Sequence, residues 1–250
     1  MSKNFLKLND DKTEYLLLGS RHQLSKSAHD NPPVVIGNCD IFSSYSARNI
    51  GAVFDSFMLM GAQVNDICKL CYFNIRNIGK ICKCVTVEAN KSLVNSLVTS
   101  RLDNFNSLLV GLPLKLIVKL QKVQNTAARL VTLTKKCDHI TPVLYNLHWL
   151  PVKYRIDFKI LLLTFKCLNN LAPVYLSDLL ELYTPGRTLR TSDKLLLKPK
   201  TVQLVSYGQR SFSYQARILW NNLPFSLRCC TSLYSFKKQL KTHLFNQAFN

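Results

Sequence analysis

LKLIVKLQKVQNTAARLVTL, residues 114–133, decides the class of this fold. Leu116, Leu120, Val123, Ala127 and Leu130 recur at steps of three and four, the spacing that puts side chains on one face of an α-helix. Lys115, Lys119, Lys122 and Arg129 keep a similar spacing on an adjacent face. One stripe seeks a core, the other seeks water or anions. The spacing predicts a helix over 114–133.

Helical periodicity extends outward on both sides. A helix is predicted over 62–78, ending at Gly79, and another over 87–109, ending at Gly111 and Pro113. Thr141-Pro142 reads as an N-cap followed by a first-turn proline. Pro151 opens a helix to about Asn169. Ile156, Phe158, Ile160, Leu161, Leu163 and Phe165 make it apolar nearly all round, which predicts burial on several sides. Its basic line is Arg155, Lys159 and Lys166. Pro173 opens a short helix, and 184–208 reads as loop or strand. Two more helices are predicted over 209–222 and 232–248, separated by Pro224. The last presents Leu233, Phe236, Leu240 and Leu244 to a core, with Lys237, Lys238 and Lys241 to one side. Only the first 55 residues or so look β-like, with short extended runs at 14–18, 34–36 and 50–54 that read as the edge of a larger sheet. The expected class is mainly α, with a small β remnant at the N-terminus. The expected segments are 1–55, 56–136 and 137–250.

Composition says what such a chain could meet. Hydrophobic residues make up 47%, enough for a packed core and too many for disorder. Lys+Arg number 33 against 14 Asp+Glu, a formal charge of +19. From Leu182 onward there are eleven Lys/Arg and one acid, Asp193, so that stretch alone carries +10. Such an excess predicts a polyanionic partner, nucleic acid before an anionic membrane surface. No secretory segment is visible at the start, and apolar runs such as 160–163 are far too short to span a bilayer. Nine cysteines at irregular spacing read as reduced thiols, so an intracellular protein, nuclear or cytoplasmic, is expected.

Three side-chain groupings invite chemistry. Cys68-x-x-Cys71 with Cys82-x-Cys84 offers four soft ligands, but the second pair is spaced too tightly for a knuckle. Small apolar core residues are the expectation, with no metal site. His139 and His148 lie near Cys137 and Asp138, yet no activating arrangement can be argued, so hydrolase chemistry is not expected. The basic stripes are the functional candidates: Lys115, Lys119, Lys122 and Arg129 on one helix, Lys237, Lys238 and Lys241 on another. Tyr207, Phe212, Tyr214 and Trp220 lie close to Arg210 and Arg217, a mixture that could stack unpaired bases, although Trp220 reads better as core.

An ordered set of motifs adds a family. Leu8-Asn9-Asp10-Asp11-Lys12-Thr13-Glu14 resembles the late palm motif of non-LTR (LINE, jockey-like) retrotransposon reverse transcriptases, where an Asn, two variable residues and Lys-Thr precede a strand. Gly51-Ala52-Val53-Phe54-Asp55 is similar to the next element of that family, a Gly-Val-x-x-Asp strand leading into a helix. Ser100-Arg101-Leu102-Asp103 and Leu120-Gln121-Lys122-Val123-Gln124-Asn125-Thr126-Ala127-Ala128-Arg129 resemble its thumb. His139-Ile140-Thr141-Pro142, His148-Trp149-Leu150-Pro151, Ala172-Pro173 and Leu219-Trp220-Asn221-Asn222-Leu223-Pro224 resemble the segment after it.

The resemblance implies that 56–136 is a helical thumb tracking the template–primer minor groove and that 137–250 is a basic, RNA-leaning domain. RNA or an RNA–DNA hybrid is the implied partner; no membrane or small-molecule substrate is expected. In the intact family enzyme, aspartates upstream of the Asn-x-x-Lys-Thr element hold two Mg²⁺ ions for phosphoryl transfer. The eight residues before Asn9 contain no acid. This chain alone is therefore expected to bind and not to polymerise, with no cofactor of its own. Asp10-Asp11 fall on the variable positions and read as a solvated turn. Lys12 matches the family lysine near the triphosphate, and reads here as a solvated strand-edge side chain. A protein-interaction module and a functionless product of a decayed element stay open as alternatives.

Overall fold

The computed structural model describes residues 9, 12–27, 32–37, 39–184, 195–204 and 207–250. Helix accounts for 57% and strand for 9%, and every named strand precedes residue 56, so the chain is mainly α with small sheets near the N-terminus. Two compact units divide at Asp66, 1–66 and 67–250. Residues 67–136 and 137–250 share the second.

Among the described residues the first unit holds three two-stranded sheets. β1 (Tyr15–Leu16) pairs in parallel with β4 (Ser43–Ser44), and β2 (Val34–Ile36) pairs antiparallel with β3 (Cys39–Ile41). β5 (Ser46–Asn49) and β6 (Ala52–Asp55) form a hairpin closed by Asn49 opposite Ala52. Its two-residue turn, Ile50-Gly51, has φ of 49° and 85°, the left-handed pair that matches the twist of hairpin strands. The expected run at 50–54 is thus displaced to Ala52–Asp55, because its first two residues make the turn. The run at 14–18 shortens to Tyr15–Leu16.

Helix α1 (Arg21–Ser27) has no apolar repeat and was not expected. A capping box starts it: Gln23 N–H donates to Ser20 Oγ at 3.3 Å while Ser20 N–H donates to Gln23 Oε1 at 3.0 Å. Asp55 is 7% exposed, and its carboxylate accepts from the N–H groups of Phe57, Leu59 and Met60, folding the chain into the next helix.

That helix, α2 (Gly61–Ile81), runs through Gly79 and does not stop there. A Cβ at Gly79 would meet only Leu130 Cδ1, at 3.8 Å, so this glycine is an ordinary helical residue and not a left-handed cap. The predicted helix over 87–109 is shorter and composite. α3 (Val87–Val94), capped by Thr86 Oγ1, passes through a π-helical segment (Asn95–Thr99) into α4 (Ser100–Asp103). Phe105, left-handed at φ 54°, then breaks to a 3-10 turn, Asn106–Leu109.

α5 (Leu114–Thr132) matches expectation: Leu120, Val123 and Ala127 are buried, and Leu133 ends the helix at φ 54°. α6 (Ile140–Asn146) has His139 at its N-cap, so Thr141 and Pro142 lie inside the first turn rather than at the cap. Proline is tolerated there because the first-turn N–H groups have no helical partner in any case. α7 (Val152–Leu168) begins after Pro151 and packs on α5 and on α9 (Phe212–Asn221) and α11 (Leu233–Phe249). Two short helices, α8 (Val174–Ser177) and α10 (Phe225–Arg228), follow Pro173 and Pro224. The core of this half centres on Phe165 of α7 stacked on Phe236 of α11, centroids 4.2 Å apart, with Trp220 of α9 against the same ring. Trp220 is core, and its Nε1–H donates to Leu195 O at 2.9 Å.

A side-chain clamp joins α5 to α7. Gln121 Oε1 accepts from the Val152 N–H, an orphan donor of the first turn of α7, at 2.8 Å. Gln124 Nε2 donates to Leu150 O at 2.8 Å, and Gln121 Nε2 ties the two amides together.

Candidate nucleic-acid interface

α5 presents Lys115, Lys119 and Lys122 as exposed side chains along one face while Leu120, Val123, Ala127 and Val131 anchor the other. Lys119 lies close enough to Cys68 to pull that thiol's pKa down, although burial outweighs it and leaves the thiol raised. Arg129, the fourth member of the stripe, is used structurally. Its Nε donates to Lys135 O at 3.3 Å and its Nη2 to Asp138 O at 3.0 Å, holding the segment that follows the helix.

The lysines of α11 meet different surroundings. Lys241 faces a cleft against α7, whereas Lys238 lines a separate groove with Tyr234, His243 and Asn246. Lys237 is exposed. Arg210 packs on Gly111, whose φ of +66° and missing side chain admit it: a Cβ there would stand 2.8 Å from Arg210 Cγ. Arg217 donates from Nη1 to Ser213 O and from Nη2 to Leu179 O, so it braces α9. Tyr207, Phe212 and Tyr214 are half-buried.

Lys12 is exposed in the first unit, in a shallow cleft that also holds Glu14 and Arg48. Asp10 and Asp11 lie outside the described residues, as does 185–194, which contains three of the basic residues of the +10 stretch. Cys71 is fully buried, its Sγ 3.8 Å from Val98 O, and burial pushes its thiol up to about 12. Cys82 Sγ contacts Gly79 O and not a second thiol. Among the described residues no group of three or more His, Cys, Asp or Glu is placed to hold a metal ion. Cys137 Sγ approaches Asp138 Oδ1 and His148 lies on Phe245, and neither contact pairs a thiol with an imidazole.

One feature escapes sequence reading. A cleft of about 400 Å³ opens between the end of α4, the 3-10 turn, α7 and α11. Arg155 grips Asp103 with two parallel contacts, Nε to Oδ1 at 2.7 Å and Nη2 to Oδ2. Such a bidentate pair fixes the guanidinium plane. Lys159 and Lys241 flank it, and Leu150, Phe158 and Leu162 supply apolar walls. The basic line of α7 is visible in the sequence; its partner Asp103, 52 positions earlier, is not. Arg228 is 8% exposed, its Nε and Nη1 have no partner among the described residues, and burial lowers its pKa.

Comparison with protein-family models, with curated proteins and with solved structures yields no match to this chain.

Proposed function

We propose that this chain binds the phosphate backbone of RNA or an RNA–DNA hybrid, as the late-palm, thumb and post-thumb part of a LINE-type reverse transcriptase, and supplies no polymerase carboxylates of its own. One observation carries the binding: Lys115, Lys119 and Lys122 stand exposed on one face of a helix whose other face is locked in the core. A rigid line of cations meets a regular line of phosphates at little ordering cost. The surplus of +19 adds long-range attraction. The motif resemblance supplies the family; it rests on the order of the motifs, none of which is decisive alone.

Filter binding to a hybrid duplex across a salt series tests it. With about six phosphates neutralised, log K falls against log salt with a slope of about −5. Lys115→Glu with Lys122→Glu flattens that slope by about 2. A salt-independent affinity sinks the proposal. The alternative, docking on a protein, draws support from Leu70 and Phe73, which stand 40% and 53% exposed on α2. A salt-insensitive dimer with no affinity for RNA would favour it.

A further inference from the structure

We propose that the cleft closed by Asp103 and Arg155 seats one unpaired nucleotide, its base on the apolar floor and its phosphate at the mouth. The inference rests on the polynucleotide reading above for its class of ligand. Leu150 and Phe158 form the floor, and the phenyl ring offers a surface on which a base can stack. Lys159 and Lys241 are exposed at the mouth and form no ion pair among the described residues, since Asp103 is taken up by Arg155. The cleft is therefore cationic where a phosphate would sit.

Asn106 selects the ligand. It is 4% exposed and lines the cleft. Its Nδ2 reaches Asp103 Oδ1 at 3.5 Å, which orients the amide, and its Oδ1 is buried with no partner among the described residues. A buried acceptor left unpaired is costly, so a ligand that brings an N–H to it is favoured. An acyl chain would fill the floor and leave that oxygen orphaned. A free anion would meet the lysines and face the same oxygen lone pair. A base that presents an N–H on its pairing edge satisfies floor, acceptor and mouth together. It must be unpaired, because a base inside a duplex cannot enter. The volume of about 400 Å³ lies in the range of small-ligand clefts.

Calorimetric titration of the intact chain with 5′-CMP, 3-methyluridine 5′-phosphate (whose base has no N–H) and ribose 5-phosphate reads this directly. CMP binds about 3–10-fold more tightly than the other two, and Asn106→Leu removes that preference. Lys159→Glu with Lys241→Glu, both exposed, weakens all three ligands by about 10-fold. That pair still tests the cleft if Asn106→Leu fails to fold. In parallel, a hairpin RNA with a single-stranded overhang binds better than its blunt counterpart, and the lysine pair abolishes the difference. Equal binding of the three ligands, or an undiminished CMP preference in Asn106→Leu, overturns the cleft even where RNA binding keeps its steep salt response. CMP binding with no affinity for any RNA upholds the cleft and overturns the polymer reading.

Discussion

Gln124 is 2% exposed in the middle of an apolar stripe, one position from Val123 and three from Ala127. It is there because Leu150 O, at the bend into α7, is buried and needs a donor. Gln124→Leu keeps the volume and removes the donor, leaving that carbonyl unpaired. The expected loss is about 1–3 kcal/mol, read as a lower urea midpoint by circular dichroism. An unchanged midpoint would mean that water reaches Leu150 O. This residue was legible in principle: a polar side chain inside a core stripe has to be answered by a buried partner. Asp103 and Asn106 were not, because their value lies in meeting Arg155 and Lys159 across a distance no local pattern encodes.

At the scale of the element, α7 is the helix on which the second unit is built, and it carries one misfit. Asp157 sits beside a cleft lined by Leu109, Ile117, Ile156 and Leu219. Burial pushes its carboxyl from 3.8 to about 6, and nearby Lys153 offsets only part of that. Between those values the folded chain keeps a proton that the unfolded chain has released, so stability falls as pH rises from about 4 to about 6 and is level above. Asp157→Asn removes this slope and is more stable at pH 7 by about 1–3 kcal/mol. Unfolding of the two proteins at pH 4.5 and pH 7 checks it; equal differences at both pH values would refute it. The apolar character that gave α7 away in the sequence is the same environment that makes Asp157 hard to ionise. The long amphipathic elements α5, α7 and α11 were readable because each repeats its pattern over several turns. The π-helical segment at Asn95–Thr99 and the break at Phe105 were not, since a change of hydrogen-bond register over five residues leaves no periodicity to read. α1 announced itself only through Ser20 and Gln23.

For the whole molecule, charge is the governing quantity. The described residues contain three ion pairs, Arg48–Asp66, Arg155–Asp103 and Lys198–Glu181, against a surplus of +19. Most cations therefore repel one another in the folded state. Raising NaCl from about 10 mM to about 150 mM shortens the Debye length from about 30 Å to about 8 Å. The main thermal transition should rise by about 2–4 °C, the equivalent of about 1 kcal/mol at this size. A flat or falling Tm would show the repulsion already relieved within the fold. The division into two units has a practical side as well. Trp149 and Trp220, the chain's two tryptophans, both lie buried in the second unit, and residues 1–66 contain none. Indole emission from the native protein will be blue-shifted, and its red shift on denaturation will date the opening of the helical unit alone. The sheets around Asp55 can come apart unseen in that channel; Tyr15 and Tyr45 are the reporters that would notice.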